Sequence, residues 1–187
     1  MRKNFGSKSY LYPMPVLIIG SYNEDGTPNA MNAAWGCIAD SDRIGIYVSA
    51  AHKTMENILK RKAFTVSMAV ESQVKAADFV GIVSGNSAPD KMKNTGWQTI
   101  PSEFVDAPLF QELPMSLECE LVSFDTASEL LIGKIVNVCA EEDILTDGKI
   151  DPMKLKPITY DPVHHAYLSL GAKVGNAFSD GKKLKLR

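Results

Sequence analysis

The stretch that decides the fold is residues 116–140, SLECELVSFDTASELLIGKIVNVCA. From Ser116 to Phe124 apolar and polar residues alternate: Leu117, Cys119 and Leu121 fall inside, Glu118 and Glu120 outside. From Glu129 to Ala140 the alternation resumes. Leu131, Gly133, Ile135 and Asn137 share one face; Leu130, Ile132, Lys134, Val136 and Val138 share the other. A period of two marks strands with one face buried. The connection Asp125–Ser128 is short enough for a hairpin, so the pair is antiparallel.

The same period recurs upstream. Val16–Ser21 is a β-branched run after Pro13 and Pro15, followed by the turn Asn23-Glu24-Asp25-Gly26. Pro28–Ile38 then returns as a strand of small residues, which leaves space for a backbone or a flat ligand to approach. Arg43–Ser49 alternates Ile44, Ile46 and Val48 with Gly45, Tyr47 and Ser49; Ala63–Val70 sets Phe64, Val66 and Met68 against Thr65 and Ser67. Between them Met55, Ile58 and Leu59 stand at i, i+3 and i+4, with Lys60-Arg61-Lys62 behind, which predicts an amphipathic helix suited to its dipole. A second helix is predicted over Val74–Val83, and Ser84–Pro108 reads as irregular with a short helix near Asp90–Asn94. Many short strands with few helices give a mainly β, α+β chain, an antiparallel β barrel and not a βαβ protein.

The chain has 187 residues, 45% hydrophobic and 22% charged, with no repeat or low-complexity tract. One domain spanning 1–187 is expected, with a core of about 12–171 and a tail over 172–187. A domain of this size buries roughly 70% of its unfolded surface, enough for a core without staples. The net charge of −2, from 20 basic and 22 acidic residues, supplies no general field for nucleic acid. No apolar run is long enough to span a bilayer, and no signal-peptide h-region follows the charged N-terminus. Three cysteines without CxxC spacing point to free thiols in a reducing compartment, the cytoplasm. The tail residues Lys182–Arg187 read as a solvated end.

Three segments carry candidate chemistry. At Ser49-Ala50-Ala51-His52-Lys53-Thr54 a strand gives way to a helix, whose first N–H groups lack internal partners and favour an anion such as phosphate. Taken alone, the segment reads first as a helix start capped by Ser49 with His52 and Lys53 in solvent. In Asn29-Ala30-Met31-Asn32-Ala33-Ala34-Trp35, two amides and several alanines would suit a planar heterocycle, or a strand crowded by a neighbour. Ser84-Gly85-Asn86 with Lys91 downstream would close over a ligand, or form an ordinary polar loop. No acid–base triad is found, so no catalytic residue is assigned, and no metal site is read. The adjacent His164 and His165 diverge and do not chelate one ion, and the Asp143–Lys154 stretch lacks oxygen ligands at two calcium-loop positions. No GxGxxG or P-loop lysine motif is present.

These residues together resemble the flavin reductase-like, or flavoredoxin-like, family of FMN-binding split β-barrels with Greek-key antiparallel strands. The likeness covers about Tyr12 to Gly171. It rests on Pro13-Met14-Pro15-Val16, Asp25-Gly26-Thr27-Pro28-Asn29-Ala30, the strand into Ser49 and Thr54, and Gly81–Gly85 with Asp90-Lys91. Leu117-Glu118-Cys119, Ile132–Val136 and Tyr167–Gly171 complete it. The resemblance implies a homodimer with FMN in a cleft at its interface. The phosphate would lie near Ser49, Ala50, His52, Lys53 and Thr54. The ring would run along Asn29, Ala30, Met31, Asn32, Ala33 and Ala34, with Ser84, Gly85 and Lys91 closing the site. The implied function is electron transfer through non-covalent FMN. The chain departs from the pattern at Thr126-Ala127-Ser128, where NAD(P)H-using relatives carry Gly-Asp-His, and around Trp35-Gly36, Asp42-Arg43 and Lys53. Those changes move the reading toward flavoredoxins, which exchange electrons with a protein or small molecule. Two rivals are a non-catalytic FMN-binding or sensing module and a pyridoxamine-phosphate-oxidase-type enzyme on the same barrel.

Overall fold

A computed structural model of the chain describes residues 1–184; the last three residues of the predicted basic tail lie outside the described residues. Among the described residues there are fourteen strands: β1 Met14–Pro15, β2 Leu17–Tyr22, β3 Pro28–Ala33, β4 Gly36–Asp40, β5 Arg43–Tyr47, β6 Ala63–Met68, β7 Thr99–Pro101, β8 Pro108–Phe110, β9 Met115–Asp125, β10 Leu130–Ala140, β11 Leu145–Thr146, β12 Lys149–Ile150, β13 Ile158–Asp161 and β14 Ala166–Ser169. The α-helices are α1 Lys53–Arg61, α2 Val74–Ile82 and the single turn α3 Pro152–Leu155. Seven strands form the main sheet in the order β3-β2-β6-β9-β10-β5-β4. All of its pairings are antiparallel.

The outermost strands of that sheet, β3 and β4, are joined by only Ala34 and Trp35. Three Cα steps reach about 11 Å at full stretch, so the two edges must come together and the sheet curls toward a split barrel. The expected continuous strand over 28–38 is broken at this link, because the chain passes there from one edge of the sheet to the other.

Inside the curl lie Leu17, Ile19, Ile44, Ile46, Phe64, Val66, Leu117, Cys119 and Leu131, closed at one end by Met55 and Ile58 of α1. The interior alternation read from the sequence is therefore present. The outer face is not solvated as a simple alternation implies. Val16, Ile18 and Ala30 pack beneath Ala77 and Val80 of α2 and against Trp97 and Phe110. Thr65 is fully buried and its hydroxyl donates to the Pro108 carbonyl over 2.6 Å, while Ser67 and Ser116 share a hydrogen bond of 2.7 Å. Glu118, expected outside, is 1% exposed. Its carboxylate accepts from the Ser102 hydroxyl at 2.5 Å and from the Asn137 amide, tying a remote loop to β9. A second, three-stranded sheet of β1, β13 and β14 binds the N-terminal segment to the C-terminal hairpin. There the Tyr12 hydroxyl donates to Asp161, and with His164 holds that carboxyl well below its usual range. Among the described residues no helix is long and apolar enough to cross a membrane.

Gly133 makes the barrel interior fit. A Cβ built there would stand 2.3 Å from Cζ of Phe64, which is fully buried and has nowhere to go. Gly133→Ala is expected to destabilise the fold by about 1–3 kcal/mol, measured as a lower urea midpoint with an unchanged slope.

Candidate functional site

The link Ala34-Trp35 and the start of α1 lie on two sides of one cavity. It has a volume of about 420 Å³ and is lined by Met31, Asn32, Ala33, Ala34, Trp35, Tyr47, Val48, Ser49, His52, Ser128 and Glu129. One wall is the edge strand β3 with the rings of Trp35, in the link, and Tyr47, at the end of β5. The other is the approach to α1.

That helix starts without a side-chain cap. Its N-cap residue is His52, not Ser49 as the simplest sequence reading has it, and no side chain caps the amides of its first turn. Ser49 is occupied otherwise: its hydroxyl donates to Oε1 of Glu129 over 2.8 Å, and the same oxygen accepts from the Ala50 amide at 3.2 Å. A carboxylate of the chain thus already sits on two donors that the sequence suggested for an anion. The amides of Lys53 and Thr54 precede the first intrahelical donor, the Met55 amide, which bonds to the His52 carbonyl at 3.0 Å, and they remain at the positive end of the dipole. The Lys53 ammonium pairs with Glu56 at 3.1 Å.

Behind the helix start the structure brings the three predicted segments together. Asn29 is buried, and its amide donates to the Thr54 hydroxyl over 2.8 Å and weakly to Ser21 at 3.4 Å. Asn57 donates to the same Ser21 oxygen at 3.2 Å and to Asn23 at 2.9 Å. Gly85 presses into this corner: a Cβ there would lie 2.7 Å from Oδ1 of Asn29 and 3.2 Å from Cβ of Lys53. Asn86 donates to the Ala51 carbonyl at 3.1 Å, which ties the 84–87 loop to the helix start. Lys53, Gly85 and Asn86 also border a second hollow of about 370 Å³, with Glu24, Asp25 and Asp90 on its rim.

The predicted site residues therefore divide. Met31, Asn32, Ala33, Ala34, Ser49 and His52 line the larger cavity; Asn29, Lys53, Thr54 and Gly85 gather behind the helix start; Ala50 and Ser84 are exposed beside it. Ala30 is fully buried in the outer core, facing away. Lys91 is 3% exposed, and its ammonium donates to the carbonyls of Val80 at 3.0 Å and Val83 at 2.7 Å, closing the C-terminal end of α2. Tyr47, Val48 and Glu129 line the cavity without having been singled out, and Trp35 and Ser128 do so after being marked only as departures from the family pattern. Trp35 ends the quoted amide-rich stretch and was its one large ring. Nothing local marks Glu129, which reaches Ser49 from 80 positions away.

Residues 9–163 match the flavin reductase like domain, and the chain belongs to that family. Among solved structures it is similar to flavoredoxin of Desulfovibrio vulgaris (Miyazaki F), at 36% identity and a TM-score of 0.92, covering 97% of this chain and all of that one. It is also similar to flavoredoxin from Methanosarcina acetivorans, at 27% identity and a TM-score of 0.88, covering 99% of this chain and 100% of the other. An uncharacterized protein of Pyrococcus abyssi is 27% identical over 145 residues, 74% of this chain and 81% of its own.

Burial pulls the Lys91 ammonium down from its usual value to about 8. Between that value and about 10.4 the unfolded chain holds a proton that the folded one has released, so stability rises with pH there. Urea melts at pH 7.5, 9 and 10 are expected to show this gain in the native chain and to lose it in Lys91→Met, whose own stability starts lower because two carbonyls lose their donor.

Proposed function

We propose that the protein is a flavoprotein that holds FMN non-covalently and passes electrons through it. The observation that carries this reading is the polarity of the 420 Å³ cavity: small side chains of β3 with the rings of Trp35 and Tyr47 at one end, an uncapped helix start at the other. A planar heterocycle with a phosphate tail has the same polarity. Membership of the flavin reductase like family and the likeness to two flavoredoxins support it.

In this reading the amides of Lys53 and Thr54, the Lys53 ammonium and His52 hold the phosphate, an anion at such a position gaining about 0.3–1 kcal/mol from the dipole alone. Ser49 and Ala50 join them when Glu129 gives way. Asn29 stiffens the helix start through Thr54, the strand from Met31 to Ala34 carries the ring, and Ala30 seats that strand on the outer core. Ser84 and Gly85 close the rear, and Lys91 acts at one remove by fixing the end of α2. Bound FMN supplies the redox chemistry itself. The chain's tasks are to bind, orient and exclude water.

Electrons are exchanged with a protein or small molecule other than a reduced nicotinamide. Thr126-Ala127-Ser128 forms the β9–β10 turn, bonded to Asp125, and offers no imidazole. The Glu129 carboxylate beside it repels a polyanionic dinucleotide at the mouth of the cavity. We further propose a homodimer, because Trp35, Ile38 and Tyr47 are 57%, 64% and 54% exposed on neighbouring strands. A cytoplasmic setting fits the three free cysteines; burial pushes the Cys119 thiol up to about 12, so it stays unreactive.

The purified protein is expected to be yellow, to bleach with dithionite and to stay oxidised under anaerobic NADH or NADPH. A colourless protein that takes up no added FMN overturns the proposal. Lys53→Ala is expected to weaken FMN binding about tenfold in a fluorescence titration. A shifted midpoint potential with unchanged affinity would move that ammonium from the phosphate to the ring.

A further inference from the structure

Two donors on the approach to α1 already hold an anion, and the chain itself supplies it. Oε1 of Glu129 takes both bonds, from the Ser49 hydroxyl at 2.8 Å and from the Ala50 amide at 3.2 Å. A carboxylate only accepts, so the Ser49 proton is directed to it. The Ser49 oxygen in turn accepts weakly from the Ala51 amide at 3.4 Å. Glu129 also lines the 420 Å³ cavity, together with Met31, Asn32, Ala33 and Ala34.

Little fastens that carboxylate in its seat. Both donors are neutral, and among the described residues no cation pairs with Glu129. The Ala50 contact is exposed and the Ser49 contact half-buried, so water can receive the carboxylate when it leaves. The backbone of residue 129 stays behind, because its carbonyl accepts from the Val48 amide at 3.0 Å. Uncovering the donors therefore takes the rotation of one side chain and no movement of the turn. A group fixed at its root competes at an effective concentration of about a millimolar or more. A free anion below that level does not displace it, whereas a ligand that also fills the cavity has further binding energy to draw on.

We propose that Glu129 is a specificity-determining residue, an internal competitor that keeps free phosphate off Ser49 and Ala50 and yields them only to a phosphate that arrives with a ring filling the rest of the cavity. The inference rests on the FMN reading above. It adds a rule to it: affinity for FMN is lowered, and in return becomes indifferent to free phosphate. A carboxylate that merely braces Ser49 has the opposite sign, since its removal weakens FMN.

The test titrates FMN and riboflavin by fluorescence into the native full chain, Glu129→Gln and Glu129→Asn, with and without inorganic phosphate at about 10 mM. Gln keeps the length without the charge. Asn suits the left-handed backbone at 129, φ +58°, and is one methylene shorter, which keeps the test decisive if the first variant folds poorly. Both variants are expected to bind FMN about tenfold more tightly than the native chain and to raise the preference for FMN over riboflavin by the same factor. The gain is expected to persist in about 1 M sodium chloride, where the Debye length is about 3 Å, because it comes from contact and not from a long-range field. Phosphate is expected to weaken FMN binding in the variants and to leave the native chain unmoved. FMN bound no more tightly by the folded variants overturns the proposal. So do equal gains for FMN and riboflavin, a gain that vanishes in salt, or a native chain as sensitive to phosphate as the variants. Each of those results leaves the FMN reading standing. A native protein that takes up neither flavin overturns both.

Discussion

The structure depends on a short tether. Opposite edges of a seven-stranded sheet are separated along the chain by only two residues, and the Tyr47 amide donates to the Trp35 carbonyl over 2.8 Å, extending the β4–β5 ladder into that link. Closure follows from this reach, and closure creates an interior that must be filled, which Phe64 does by lying over Gly133. The same tether leaves a place where the ladder is incomplete. The 420 Å³ cavity is lined by the tether itself, so one constraint yields both a filled interior and a cleft beside it.

Around the helix start, polar groups are organised in depth. Asn29, Ser21, Thr54 and Asn57 are all buried, and among the described residues no buried side-chain nitrogen or oxygen lacks a partner. Networks of this kind stiffen a site because each member is held by two others. The 84–87 loop is bound to the same corner through Asn86, so a segment that looks like a free lid belongs to the frame.

Much of this was legible in the sequence, and the exceptions have a common cause. A β-branched run located β2, period-two runs located β5, β6, β9 and β10, and helical spacing located α1 and α2, because those patterns are set by each segment alone. What covers the outer face of a strand is set by remote chain. Thr65, Ser67 and Glu118 look like a solvated face until Pro108, Ser116 and Ser102 close over them. The candidate site divides in the same way. The amide-rich strand and the helix start were visible as local chemistry. The contacts of Glu129 with Ser49 and of Tyr167 with Asp78 span 80 and 89 positions and leave no local trace. Lys91 shows the converse: a loop lysine by composition, it sits behind α2 because the last carbonyls of that helix needed a donor.

Glu129 has a left-handed backbone, with φ of +58°, in the β9–β10 turn, and from there its carboxylate rests on Ser49 and Ala50. It is a tethered carboxylate that keeps the Ser49 hydroxyl and the Ala50 amide oriented. In the FMN reading proposed above, an incoming ester evicts this internal rival, so capture becomes an exchange between two anions.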